Sequence, residues 1–219
     1  MKTAQKIRVM LVDDHFAILM GLRACLSPET DIAVIAEATD GSEAIEQFRV
    51  HQPDITLMDL SLPRMDGVEA IRTICGEFPA ARIIALTTRR GDEDIHRVLG
   101  AGARSYVTKN LPRQEMLRTI RSVHEGQDYL PPEVQTALLR HEKRTPLTPR
   151  ELEVLRFLTH GCSNKEIGVA LGIAEVTAKI HVSHLLKKMG VMDRSQAVME
   201  ALRHGIVHLD GAGGIRPLG

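Results

Sequence analysis

Residues 55–67 read Ile55-Thr56-Leu57-Met58-Asp59-Leu60-Ser61-Leu62-Pro63-Arg64-Met65-Asp66-Gly67, and this stretch decides the architecture. The run Ile55–Met58 is short and near-continuously apolar, then stops at a carboxylate. Strands with apolar residues on both faces belong to parallel sheets covered by helices on both sides. Pro53 comes before the run, and a helix-period stretch over about 66–76 follows it. The same pairing recurs along the first half. Apolar runs at Ile7–Val12, Ile32–Ala36, Arg82–Leu86 and Ser105–Val107 alternate with helix-period stretches at about 15–26, 41–50, 91–102 and 112–124. Five βα units in roughly 125 residues predict a doubly wound α/β domain.

From about Glu125 the strand signal ends. Pro131-Pro132-Glu133 opens a short helix, Glu133 to about Glu142, and Lys143–Pro146 reads as linker. Beyond it lie four helical stretches, about 149–160, 164–171, 175–189 and 194–206. Thr148 is placed to cap the first, with Pro149 at its first position and Glu151 three residues after the cap. Ser163 and Glu166 repeat that spacing for the second helix. Two helices joined by a turn at Gly172 make a helix-turn-helix. On the longer one, Val176, Ile180, Leu185 or Leu186, and Met189 form the expected apolar stripe. Thr177, Lys179, His181, Ser183, His184, Lys187 and Lys188 supply a polar and basic face, suited equally to solvent or to a major groove. The tail over 209–219, with Gly211-Ala212-Gly213-Gly214, is expected to be disordered.

Carboxylates gather at strand ends in the first half. Asp13 and Asp14 follow the first strand and Asp59 follows the third. In the flavodoxin-like strand order 2-1-3-4-5 the order reverses between strands 1 and 3, and ligand sites form beyond the carboxyl ends of strands at that point. Converging carboxylates repel, by roughly 4 kcal/mol for a pair about 4 Å apart at an effective dielectric near 20. A hard divalent cation such as Mg²⁺ relieves the repulsion. Such a site can hold a phosphoryl group against a nucleophilic carboxylate. Thr87 ends the fourth strand with a hydroxyl, and Lys109 ends the fifth with an ammonium. Singly, an Asp at a strand end is an ordinary helix cap and a Lys there an ordinary solvated charge. Five suitable groups at the ends of four strands make a site.

Val12-Asp13-Asp14-His15, Met58–Gly67, Leu86-Thr87 and Lys109-Asn110-Leu111-Pro112 resemble the receiver domains of response regulators over about residues 6–124. The resemblance implies that Asp59 is the phosphoacceptor. Asp13, Asp14, Asp59 and the Ser61 carbonyl would bind Mg²⁺, Thr87 and Tyr106 would act as switch residues, and Lys109 would bridge to the phosphate. Thr88 stands where such receivers carry a very small residue, and with Arg89 it would alter access to the phosphate. Leu147–Leu155, Gly161–Ile167, Thr177–His181 and Leu185–Val191 resemble the LuxR-type helix-turn-helix over about 146–207. This implies that Lys179, Ile180 and Ser183 face bases, with Ser163, Asn164, Lys165, Thr177, His181 and Lys187 near phosphates and His184 on the same surface. It also implies a dimer contact through the last helix, and a Ser cap at the position of Ala174. Together the halves are similar to NarL/FixJ-type response regulators: a receiver over 1–126, a linker with a short helix over 127–146, a four-helix LuxR-type domain over 147–208, and the tail. A sensor histidine kinase, double-stranded DNA and a second copy of the chain are the implied partners.

Totals set the remaining bounds. The chain has 219 residues, 43% hydrophobic and 26% charged, enough for two cores. No apolar run approaches the roughly 20 residues of a membrane span, and no secretory segment opens the chain. Cys25, Cys75 and Cys162 are isolated, which fits a reducing cytoplasm better than a disulfide framework or a zinc site. The formal net charge is zero, yet residues 1–128 carry −3 and residues 129–219 carry +3, so the second half is the one suited to a polyanion. Two other readings fit parts of the pattern. A Mg²⁺-dependent aspartyl-phosphate phosphatase would want an acid–base Asp two residues past Asp59, where Ser61 stands. A regulator that responds through protein contacts alone would fit the bulk of Thr88 and Arg89. The reading favoured here is a regulator and not an enzyme.

Overall fold

A computed structural model describes residues 6–88, 91–127, 129–142 and 144–207. Arg89 and the tail expected to be disordered lie outside the described residues. Strands β1 (Ile7–Val12), β2 (Ile32–Ala38), β3 (Ile55–Asp59), β4 (Ile83–Thr87) and β5 (Ser105–Thr108) form one parallel sheet in the order β2-β1-β3-β4-β5. The strands are buried because each sends alternate side chains to opposite faces. Met10, Val12, Met58, Ile83, Ala85 and Tyr106 enter a core with α2 (Gly41–His51), α3 (Gly67–Glu77) and α4 (Asp92–Gly100). Val9, Leu11, Ile55, Leu57, Ile84, Leu86 and Val107 face α1 (Phe16–Leu26) and α5 (Arg113–His124) on the other side. The doubly wound domain is thus as expected. β3 and β5 each run one residue past their apolar run, to Asp59 and Thr108, so the sheet carries the polar strand ends within itself.

The expected short helix is α6 (Pro132–Glu142). Val134 and Ala137 are buried in the same core as α2, α3 and α4. Ser105 Oγ donates to the Tyr129 carbonyl at 2.7 Å, and the Tyr129 hydroxyl donates to Glu115 at 3.0 Å. The stretch read as linker therefore begins as part of the first domain. Compact units fall at Met1–Arg90 with Ile95–Leu138, and at Gly91–Asp94 with Leu139–Gly219.

The second unit holds α7 (Pro149–Thr159), α8 (Asn164–Leu171), α9 (Glu175–Met189) and α10 (Arg194–Arg203). Both expected capping boxes are formed, Thr148 with Glu151 and Ser163 with Glu166. α10 stops at Arg203, short of the expected 206, because Gly205 takes φ 71° and His204 closes the helix. The helices enclose Val154, Leu155, Leu158, Ile167, Ala178, Val182, Leu185, Ala197 and Ala201. Among the described residues no single helix is long and apolar enough to cross a membrane.

In the first domain α5 is tied to the α1–β2 connection by ion pairs. Arg121 donates to Glu29 at 2.6 Å and to Asp31 at 2.8 and 2.9 Å, and Arg113 donates to Glu29 and to the Cys25 carbonyl. Hydrogen bonds from Arg121, then Arg113, hold the Glu29 carboxyl below its ordinary value, and Arg121 does the same to Asp31. A lowered carboxyl pKa in the fold contributes stability above the unfolded value, and that stability is lost as pH falls through the folded value. Arg121→Ala is therefore expected to lower the thermal midpoint at pH 7. The gap to the unsubstituted protein should close below about pH 4, where carboxylates protonate. Thermal melts followed by circular dichroism between pH 3 and 7 check this.

Candidate functional site

The register of the sheet assembles the acidic site. Val12 pairs with Met58 across β1 and β3, so Asp13 comes beside Asp59 one residue further on. Both carboxylates are buried, at 0% and 1% exposure. Asp59 pairs with Leu86 on β4, and Thr87 pairs with Thr108 on β5, which places Lys109 on the same edge. The Lys109 N–H donates to the Thr87 carbonyl at 2.8 Å. Its Nζ lies 2.6 Å from Asp13 Oδ2 and 3.0 Å from Asp59 Oδ2. One ammonium thus faces two buried carboxylates.

The charge balance is uneven. Burial pushes the Asp59 carboxyl up, with Lys109 and the Ser61 backbone N–H pulling it back. Burial works against the Lys109 charge, yet its hydrogen bonds to Asp13 and Asp59 hold the ammonium above its ordinary value. Asp14 adds a third carboxylate, partly exposed, whose Oδ1 lies 2.7 Å from His15 Nδ1. Three carboxylates against one lysine leave a negative pocket rich in oxygen donors, the donor set that a hard dication takes. Asp13, Asp14, His15 and Asp59 each bring a ligand atom within 4.8 Å of the others. His15 is the member the sequence reading passed over, although it stands in the quoted Asp13-Asp14-His15.

The β3–α3 loop is pressed onto this site. A Cβ on Gly67 would stand 2.1 Å from the Asp59 carbonyl oxygen, so only glycine lets α3 begin directly beneath the carboxylate. Arg64, at φ 63°, pairs with Asp40, the N-cap of α2. Ser61 is exposed at the start of this loop, two residues past Asp59, and its backbone N–H acts to lower the Asp59 carboxyl. Thr87 is buried at the end of β4 and Thr88 is exposed beyond it. Tyr106 is 1% exposed within β5, inside the core shared with α2, α3 and α4 and not in the acidic pocket.

In the second unit α8 and α9 meet at 107°, within the range of a helix-turn-helix. Gly172 closes α8 in the left-handed conformation at φ 65°. A Cβ on Gly168 would stand 2.8 Å from the Ile173 carbonyl, so that glycine lets the turn fold back closely. The buried face of α9 is Ala178, Val182 and Leu185, with Leu186 and Met189 partly covered. The expected stripe through Val176 and Ile180 is corrected: they are 66% and 50% exposed. Positions 178, 182, 185 and 189 share one helical face, and 176 and 180 fall on another.

The exposed side of α9 carries Lys179, Ile180, Ser183, His184 and Lys187, with Thr177 and His181 half-buried. Lys165 is exposed on α8. Two expected contact groups are already engaged: Ser163 Oγ bonds Glu166, and Asn164 Oδ1 accepts from Arg194 at 3.1 Å. Arg194 also reaches the Cys162 carbonyl at 3.3 Å, which puts an unforeseen guanidinium on this surface. Lys188 lies apart from this face, its Nζ 2.7 Å from Glu151 of α7.

Comparison with known proteins agrees with the geometry. Residues 9–121 match the response regulator receiver domain, and residues 145–201 match the bacterial regulatory proteins of the luxR family. The chain is 41% identical over 210 residues to the transcriptional regulatory protein LiaR of Bacillus subtilis, covering 92% of this chain and 100% of LiaR. It is 36% identical to the response regulator protein VraR of Staphylococcus aureus, covering 92% of this chain and 99% of VraR. Among solved structures it resembles the response regulator ChrA of a heme-sensing two-component system (34% identity, TM-score 0.56, 92% of this chain and 99% of that one). It also resembles RcsB, seen as two dimers bound to two parallel DNAs (25% identity, TM-score 0.70, 91% and 99%).

The N-cap of α9 is Ala174, with extended backbone at φ −64° and ψ 149° and no side-chain cap bond. Ala174→Ser is expected to add about 0.5–1 kcal/mol to the stability of the second domain. A rise in its urea midpoint with unchanged slope checks this.

Proposed function

The chain belongs to the response regulators that join a receiver domain to a LuxR-family DNA-binding domain and act in transcription regulation, and on that premise we propose how its own residues work. Asp59 is the phosphoacceptor. Its carboxylate oxygen attacks the phosphorus of a phosphohistidine on a sensor kinase, a P–O bond forms as the P–N bond breaks, and the freed imidazole takes a proton. The observation that carries this is the Lys109 ammonium lying within 3.0 Å of both Asp13 and Asp59. Asp13, Asp14, Asp59 and the Ser61 carbonyl are the oxygen set for Mg²⁺, which when bound supplies charge neutralisation for the carboxylates and the phosphoryl oxygens.

Phosphorylation adds about −1.5 to −2 charge at this edge. Lys109, already oriented by two carboxylates, is placed to pair with that charge, and the Thr87 hydroxyl to donate to a phosphoryl oxygen. Movement of Thr87 is transmitted to Tyr106 and the α4–β5 surface. Thr88, exposed beside the pocket, narrows access to Asp59 and slows gain and loss of the phosphoryl group.

In the second domain α9 enters the major groove with Lys179, Ile180 and Ser183 towards base edges. Ser163, Asn164, Lys165, Thr177, His181, His184 and Lys187 grip the backbone around it. Two copies associate through α10, where Met199 is exposed, and present paired helices to DNA. The receiver covers 1–126, its continuation with α6 covers 127–146, and the DNA-binding domain covers 147–208. The protein works in the cytoplasm.

Asp59→Asn removes the acceptor and keeps the shape. Acetyl phosphate with Mg²⁺ is expected to retard the unsubstituted protein in a phosphate-affinity gel and to strengthen its DNA binding in gel shifts. Both responses should vanish in Asp59→Asn or after chelation by EDTA. Equal stimulation of the two proteins removes Asp59 from the mechanism.

A further inference from the structure

We propose that His15 is a ligand of the acidic site, and that it makes the site prefer an imidazole-binding transition dication of the Co²⁺ class over Mg²⁺. The proposal rests on the reading that Asp13, Asp14 and Asp59 hold a divalent ion. It adds a donor and a selectivity to that reading.

His15 occupies the N-cap position of α1, with extended backbone at φ −96° and ψ 108°. That position ordinarily takes Ser, Thr, Asp or Asn, whose side chain bonds a free backbone N–H of the first turn. The His15 side chain makes no such bond. Its ring instead turns to the carboxylates, with Nδ1 2.7 Å from Asp14 Oδ1 and 3.4 Å from Asp13 Oδ1. Its backbone N–H donates to Asp13 Oδ1 at 2.9 Å, which fixes the residue against the pocket from the main chain as well.

The spacing suits a shared ion. Bonds of about 2.0–2.3 Å to a single metal set neighbouring donors about 3 Å apart and opposite ones about 4–4.6 Å apart. One ligand atom from each of Asp13, Asp14, His15 and Asp59 falls within 4.8 Å of every other. A metal at their centre would be met by His15 Nδ1, which already lies 2.7 Å from Asp14 Oδ1 and 3.4 Å from Asp13 Oδ1.

Chemistry then gives the selectivity. Mg²⁺ favours oxygen donors and keeps its waters, so a nearby imidazole adds little to its binding. Co²⁺, Ni²⁺ and Zn²⁺ bind imidazole well and stand higher in the affinity order of divalent ions. Three carboxylates with one imidazole is a set that such ions use fully and Mg²⁺ uses only in part. Cys25, Cys75 and Cys162 lie outside the ligand group, so the preference comes from nitrogen and not from sulfur.

The test is calorimetric titration of the full chain with MgCl₂ and separately with CoCl₂, repeated for His15→Asn and Asp59→Asn. Asn keeps a good N-cap, so the first variant tests the ring and not the start of the helix. Only Co²⁺ binding that Mg²⁺ competes away is counted, which sets aside the other histidines. The unsubstituted protein is expected to bind Co²⁺ at least about tenfold more tightly than Mg²⁺. In His15→Asn the Co²⁺ affinity should fall about tenfold while that for Mg²⁺ stays within about twofold. Gain of the visible Co²⁺ absorption bands in the unsubstituted protein and their weakening in His15→Asn give a second readout. Equal Co²⁺ affinity in the unsubstituted protein and His15→Asn overturns the proposal and leaves the carboxylate site standing. Mg²⁺ binding that Asp59→Asn fails to weaken, or its absence altogether, overturns the underlying reading instead.

Discussion

A lysine ammonium held between two buried carboxylates is the constraint on which the receiver half depends. Asp13 and Asp59 are among the least exposed polar groups of the described residues, and both stand at neighbouring strand ends of the sheet. Burying two like charges without a cation is expensive, so their placement requires Lys109 to come across from β5. That in turn requires β4 to lie between β3 and β5 in parallel register, with Thr87 offering its carbonyl to the Lys109 N–H. The sheet order and the site are one arrangement. A strand order that separated β1 from β3 would strand both carboxylates.

The same arrangement makes the site responsive. Lys109 balances only part of the charge that Asp13, Asp14 and Asp59 present, and a site left negative can take a cation. A phosphoryl group on Asp59, as proposed, would change that balance and offer the ammonium new oxygens. The β3–α3 loop cannot drift to soften the change, because Gly67 packs its backbone against the Asp59 carbonyl and Arg64 is tied to Asp40. Charge added at a rigid edge is passed to neighbouring elements.

Much of this was legible in residue order, for identifiable reasons. The strands showed because both faces are buried, which leaves runs such as Ile7–Val12 apolar at every position but one. The carboxylates, Thr87 and Lys109 showed because strand ends in a parallel sheet converge by geometry. His15 did not, since a histidine at a helix start looks the same whether it faces solvent or a carboxylate. The phase of α9 failed for another reason. Val176 and Ile180 form a four-residue step as good as that of Ala178 and Val182, and periodicity alone fixes the spacing of a stripe but not which stripe is inward. Packing chose between them, since Leu185 and Met189 continue the 178–182 face into the core. Nor could the pairing of Lys188 with Glu151 be read from residues 37 positions apart.

How α9 is held bears on what it can present. Its first turn lacks a side-chain cap at Ala174, while α7 and α8 each open on a complete capping box. The helix is secured from behind: Ala178, Val182 and Leu185 are buried, and Lys188 is fastened to α7 through Glu151. One ion pair and the buried side chains hold the inner face, and Val176, Lys179, Ile180, Ser183 and Lys187 lie exposed away from it. Substitution at exposed positions away from a core ordinarily costs little, and a face able to vary on a rigid support is what the proposed contact with a groove would use. Ile180, exposed and apolar, would suit the proposed contact, since apolar groups can meet the methyl groups of thymine in a major groove.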